Sequence, residues 1–94
     1  MISVYVVFSE EQDTFYIGQT ADLEKRIHEH NMSFYRNPYA RKAKDWKLLF
    51  QINCTTIEQA LKIERHLKRM KSRKYLMDLI KYPDIAEKLL LKYR

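Results

Sequence analysis

The chain has 94 residues, 46% of them apolar, and carries 18 Lys and Arg against 12 Asp and Glu, a net charge of +6. That length holds a single domain, 1–94, and excludes a second; folding at this size buries only roughly 60–65% of the chain's surface, so the core needs every apolar element. The charge points to an anionic partner, nucleic acid first, and a lone Cys54 excludes both a disulfide framework and a cysteine-based zinc site.

Ile2-Ser-Val-Tyr-Val-Val-Phe8 is β-branched and aromatic on both alternations, which predicts a central strand. Ser9 to Asp13 is a polar turn, and Thr14 to Ile17 a second strand, antiparallel to the first through so short a link. Thr20 and Asp22 offer oxygens that start a helix over Asp22–His30, with Leu23 and Ile27 as a narrow apolar stripe and Arg26 and His30 side by side next to it. Asn31 to Asp45 is an irregular loop, and Trp46 to Ile52 a third strand, with Trp46 in the core. Thr55 and Thr56, each three residues before Glu58 or Gln59, form a capping-box signature for a helix reaching Met70. Ser72 restarts a helix through Tyr75, Leu76, Leu79 and Ile80, and Pro83 opens a last one with Ile85, Ala86, Leu89, Leu90 and Tyr93 inward. The expected fold is α/β in the broad sense, more strictly α+β: a small three-stranded antiparallel sheet flanked by helices, in the order β-β-α-β-α-α-α. No apolar run approaches the ~18 residues of a membrane span, and no signal-peptide pattern follows Met1. The expected setting is cytoplasmic, beside the nucleoid.

Two features ask for more than a packing explanation. Gly18, the single glycine, ends the second strand's apolar reading, which calls for a positive φ or for an approach too close for a Cβ. Glu64 falls inside the apolar stripe Ile57, Ala60, Leu61, Leu67, where a carboxylate is costly unless paired, hydrogen-bonded or bound to a metal. Its plain explanation is an i, i+4 pair with Lys68; its functional one is a metal-binding carboxylate. Residues 62–74 surround it with seven basic side chains, Lys62, Arg65, Lys68, Arg69, Lys71, Arg73 and Lys74. A basic face around one inward acid suits a phosphate backbone.

At these residues the chain resembles the GIY-YIG endonuclease family over essentially its whole length. Tyr16-Ile17-Gly18 is the second signature triplet, and Ser3-Val4-Tyr5 stands for the first with its glycine replaced. Ten residues separate Tyr5 from Tyr16, and Arg26 lies ten residues after Tyr16. Those spacings match the family hairpin and its catalytic arginine. His30 matches a histidine carried one turn later, and Glu64 the metal-binding glutamate. Some members carry an asparagine where this chain has Leu76.

The resemblance implies phosphodiester hydrolysis with one divalent metal, Mg²⁺ or Mn²⁺, held by Glu64. Arg26 would pair with the phosphoryl oxygens, and Tyr5 or Tyr16, helped by His30, would deprotonate water. The candidate nucleic-acid contacts are Gly18, Lys68, Lys71 and Arg73, with Phe34, Tyr35, Arg36, Tyr39, Arg41 and Lys42 of the loop. His28 and His66 read as solvent-facing. DNA is the expected substrate, RNA being the other polymer the charge would serve, and a protein partner could supply specificity. The competing expectations are a non-cleaving or partner-dependent binding module on the same scaffold, and an RNA-binding or ribosome-associated basic protein.

Overall fold

The structure, a computed structural model, describes residues 2–32, 44–70 and 72–94. The element order is β1 (Ile2–Ser9), β2 (Thr14–Thr20), α1 (Leu23–Asn31), β3 (Lys47–Cys54), α2 (Ile57–Met70), α3 (Arg73–Lys81) and α4 (Pro83–Lys92). The three strands form one antiparallel sheet in the order β2-β1-β3. The β-β-α-β-α-α-α order and the α+β class are those expected. β1 is central because its consecutive residues Val4, Tyr5, Val6 and Val7 are all buried, each alternation having a layer to face.

Alternation then sorts the core into two clusters. Val4 and Val6 point with Ile52 and Cys54 toward α2, α3 and α4, meeting Ala60, Ile63, Leu67, Leu76, Leu79 and Leu89. Tyr5 and Val7 point to the opposite face, where Trp46 joins them with Tyr16, Leu23 and Ile27 packed alongside. Trp46 is a core residue, as expected, and Ile85, Ala86, Leu89, Leu90 and Tyr93 of α4 do turn inward.

Local chemistry sets the boundaries. The β1–β2 turn closes through Asp13 N–H donating to the Glu10 carbonyl at 3.3 Å, with Asp13 in the left-handed region at φ 49°. Asp22 caps α1, its carboxylate accepting from Lys25 N–H at 3.1 Å, while Thr20 Oγ1 braces the entry by accepting from Asp22 N–H at 3.1 Å. At α2 the Thr56 hydroxyl accepts from Gln59 N–H at 3.1 Å, and the Gln59 side chain reaches back to Thr55 N–H at 2.9 Å. The capping box is thus displaced by one residue on its return arm. Ser72 caps α3 by accepting from Tyr75 N–H at 3.1 Å, and Pro83 stands at the start of α4.

Three expectations are corrected. β2 does not stop before Gly18 but continues to Thr20, so the glycine lies inside a paired strand. The inward face of α2 is Gln59, Ala60, Ile63 and Leu67 rather than Ile57, Ala60, Leu61 and Leu67; Ile57 is 58% exposed. A rotation of roughly a quarter turn about the helix axis accounts for it: Ala60 and Leu67 stay inward, while Ile63 joins the cluster of Val4 and Val6 in place of Ile57. His66, read as solvent-facing, is half-buried between α3 and α4. Its Nδ1 is hydrogen-bonded to Tyr93 Oη at 2.9 Å and its Nε2 to Tyr75 Oη at 3.1 Å. Burial first, then the charges of Lys92 and Arg69, disfavour its imidazolium form.

Candidate active site

On the aromatic face, β1 and β2 run in a register that sets Tyr5 opposite Gly18 and Val7 opposite Tyr16. Cross-strand partners share a face, so a side chain at 18 would rise into the Tyr5 ring. A Cβ on Gly18 would meet Tyr5 Oη at 2.6 Å and Cζ at 2.8 Å. Gly18 has no positive φ. Of the two reasons for a glycine, close approach is the one that holds.

With that space open, Tyr5 lies flat in a fully buried position and its hydroxyl is hydrogen-bonded to His30 Nε2 at 3.0 Å. Tyr16 packs on the same imidazole, ring centroids 4.9 Å apart and edge to face, and Trp46 lies 5.8 Å from the imidazole and 6.3 Å from Tyr16. Tyr5 and Tyr16 are 6.5 Å apart by centroid. Three aromatic rings, from β1, β2 and the residue before β3, thus surround one α1 histidine that is 0% exposed. Arg26 sits one turn earlier on α1, its Nε 3.3 Å from Glu29 Oε1. Burial, then the Arg26 charge, lower the His30 pKa from 6.5 to about 4, with Glu29 opposing. The imidazole is therefore neutral at pH 7.

Two residues not anticipated hold this arrangement. Asn31, directly after His30, pairs with the backbone of Trp46 as a strand would. Its Oδ1 accepts from Trp46 N–H at 2.7 Å and its Nδ2 donates to the Trp46 carbonyl at 3.2 Å. Asp45 ties the same corner to β1, accepting from Ser9 Oγ at 2.6 Å and from Glu11 N–H at 3.1 Å. Those bonds, Ser9's first, hold the Asp45 carboxyl below the ordinary range. An asparagine after a helix-ending histidine carries no signal of its own; only the partner across the fold gives it meaning.

Glu64 belongs to the other layer. It lies on α2, which covers the aliphatic face, its side chain 16% exposed and its Oε2 3.6 Å from Lys68 Nζ. That is the plain i, i+4 explanation realised, with the carboxylate at the edge of the inward stripe rather than in its middle. The structure therefore brings Tyr5, Tyr16 and His30 into mutual contact, with Arg26 close enough to His30 to lower its pKa, and carries Glu64 on α2, the helix that covers the aliphatic face. The sheet has two edges, β2 and β3; β2 is the one that bears Tyr16 and also lies against α2.

Of the candidate nucleic-acid contacts, Gly18 is buried beneath Tyr5. Lys68 is in the pair just described. Arg73 is drawn to the β1–β2 turn, its Nη2 2.9 Å from Asp13 Oδ1 and also donating to the Asp13 carbonyl, with its guanidinium over the Phe15 and Phe8 rings at 5.2 and 5.9 Å. Phe34, Tyr35, Arg36, Tyr39, Arg41, Lys42 and Lys71 lie outside the described residues. His28 is exposed, as expected, and Leu76 is buried in the core.

With these positions in view, residues 1–76 match the GIY-YIG catalytic domain. The chain belongs to the GIY-YIG family. It is 36% identical over 78 residues to a UPF0213 protein of Syntrophus aciditrophicus (strain SB), a match covering 82% of this chain and 88% of that protein. No solved structure matches it significantly. GIY-YIG domains are nuclease domains, and nucleases of this family act on DNA. The matched span includes the hairpin, α1 and α2, and so all of Tyr5, Tyr16, Gly18, Arg26, His30 and Glu64. Among the described residues, no helix of this GIY-YIG chain is long and apolar enough to cross a membrane.

Proposed function

We propose that the protein is a metal-dependent DNA endonuclease that hydrolyses phosphodiester bonds with a water activated at Tyr16. The observation that carries this reading is the neutral His30, buried among Tyr5, Tyr16 and Trp46 with Arg26 one turn away. Tyr16 is half-buried, whereas Tyr5 is fully buried and engages His30 through its hydroxyl. Tyr16 is thus the more accessible of the two tyrosines and takes the role of base, and Tyr5 is the strut that fixes the imidazole. A tyrosine ordinarily loses its proton near a pKa of ~10, so its phenolate needs a cation beside it, and the Arg26 guanidinium serves. The same guanidinium pairs with non-bridging phosphate oxygens, whose geometry its fork matches.

Glu64 would hold the divalent ion. The donor set fits a hard cation that keeps most of its own waters: one carboxylate, partly exposed, in a loose ion pair that another cation can displace. Bound there, Mg²⁺ or Mn²⁺ would neutralise charge on the phosphoryl oxygens. Because Tyr16 is on β2 and Glu64 on α2, which lies against that strand, the scissile phosphate belongs at the β2 edge.

The Glu64–Lys68 pair also favours a second reading, a binding module that does not cut, since the lysine already neutralises the one carboxylate. A single experiment separates them: incubation of supercoiled, branched and single-stranded DNA with Mg²⁺ or Mn²⁺, using the wild type, Glu64→Ala, Arg26→Ala, Tyr16→Phe and Tyr5→Phe. The endonuclease reading expects cleavage by the wild type and losses of about 10²–10³-fold in kcat in the Arg26 and Tyr16 variants, with DNA binding retained. Binding without cleavage in either metal would establish the module instead. Full activity in Tyr16→Phe would move the base to another group.

A further inference from the structure

A second concavity lies on the face away from Tyr16, between β2 and the α2–α3 corner. It is a groove of about 310 Å³ whose walls include Phe15, Ile17, Leu67 and Leu76, with Lys68 and Arg73 at its rim. The volume is at the lower end of the ~300–1,000 Å³ typical of small-ligand sites, room for one ring system rather than for a lipid chain. Resting on the endonuclease reading, we propose that this groove seats one nucleotide of the substrate strand, its base against the apolar walls and its phosphate at Lys68 and Arg73.

The lining supports that occupant on both counts. An unstacked base offers a flat apolar face, and the surfaces it stacks on are aromatic rings and guanidinium planes. Here the Arg73 guanidinium is already laid over the Phe15 ring at 5.2 Å and anchored by Asp13 Oδ1 at 2.9 Å, so it is ordered before any ligand arrives. A guanidinium carries five N–H donors, and the bonds to Asp13 employ one end of the fork. Lys68 brings an exposed ammonium to the opposite rim, one helical turn from Glu64. A strand that crosses the β2 edge from the Tyr16 side would therefore pass Glu64 and enter the groove.

The walls also state what is not read. Leu76 and Leu67 offer a base edge no polar group, the Ser72 oxygen already accepts from Tyr75 N–H, and the Thr14 hydroxyl already donates to the Gln12 carbonyl. The groove takes any base by its face. Such a site anchors a strand without choosing its sequence.

The test is a ¹H–¹⁵N titration of the full chain with three probes: deoxythymidine 5′-monophosphate, thymidine and inorganic phosphate. Amide shifts confined to residues 13–17 and 67–76 are expected with the nucleotide, saturating at a concentration at least about tenfold below that needed for either fragment. Deoxyadenosine 5′-monophosphate should bind within a few-fold of the thymidine nucleotide. Ile17→Trp, which fills the groove, should abolish the shifts. Lys68→Gln, an exposed change that leaves the core intact, should weaken the nucleotide and leave thymidine unchanged. Inorganic phosphate binding as well as the nucleotide would reduce the groove to an anion site, and thymidine binding as well would reduce it to apolar adsorption. Either result, or shifts that survive Ile17→Trp, overturns the proposal. The titration reads binding alone, so a chain that never cuts DNA can pass it and an active nuclease can fail it.

Discussion

The two faces of the sheet are built from the same strands and bury different chemistry. One is aliphatic: Val4, Val6, Ile52 and Cys54 lie under α2, α3 and α4. The other is aromatic: Tyr5, Tyr16 and Trp46 close on His30 of α1, with Leu23 and Ile27 of the same helix packed alongside. Aliphatic packing is non-directional and tolerates substitutions that keep its volume, so a face built of it supplies stability and demands little of any one residue. Rings around an imidazole must keep their angles and a hydrogen bond, so a face built of them depends on single atoms. The division teaches that the same central strand can carry the core on its even residues and the candidate site on its odd ones.

The division can be broken from the aliphatic side first. Leu79 is fully buried beneath β1 and β3, and Leu79→Ala should cost about 2–5 kcal/mol through lost burial and a residual cavity. Urea denaturation followed by Trp46 fluorescence should show an earlier midpoint with an unchanged native spectrum. A shifted native spectrum would mean that the two faces are mechanically coupled.

Acid should break the aromatic side. His30 takes its proton at pH about 4 in the fold against 6.5 ordinarily, so between those values the unfolded chain binds more protons than the native one. The stability this contributes is complete above the ordinary value, declines as the pH falls through that window, and is spent below pH 4. The shift corresponds to roughly 3 kcal/mol. Urea midpoints at several pH values for the wild type and His30→Gln would isolate it, because carboxylate effects are common to both. A parallel acid slope in the two proteins would remove His30 as the cause.

The smallest expected effect sharpens the comparison at one atom. Gly18→Ala places a methyl against the hydroxyl end of Tyr5, whose ring is buried and bonded to His30 and so has little room to yield. The expected destabilisation is about 1–3 kcal/mol. In a Tyr5→Leu background the same substitution should cost markedly less, and thermal melts of the four proteins of that cycle measure the difference. Equal costs in both backgrounds would show that the glycine serves the strand rather than the ring.

Much of this was legible before any fold was known. The caps at Asp22 and Ser72, the buried β1 and the inward residues of α4 are written in residues that act on near neighbours. So is the spacing that relates Tyr5, Tyr16, Arg26, His30 and Glu64 to the GIY-YIG family. Periodicity was a weaker guide to α2, because Ile57, Ala60, Leu61, Ile63 and Leu67 satisfy two overlapping helical phases, and only contact with Val4 and Val6 selects the one containing Ile63. Gly18 announced a constraint but not its source, which is a tyrosine thirteen residues away brought opposite by strand register. His66, Asn31 and Asp45 gave no sign of their roles, since each takes its meaning from a partner distant in the chain. Local sequence determined the elements and the order of the candidate catalytic residues. Which residues share a face, and that the helix carrying Glu64 packs on the aliphatic face while Tyr16 joins the aromatic one, was decided by packing, because a side chain's depth depends on what lies above it and not on its neighbours along the chain.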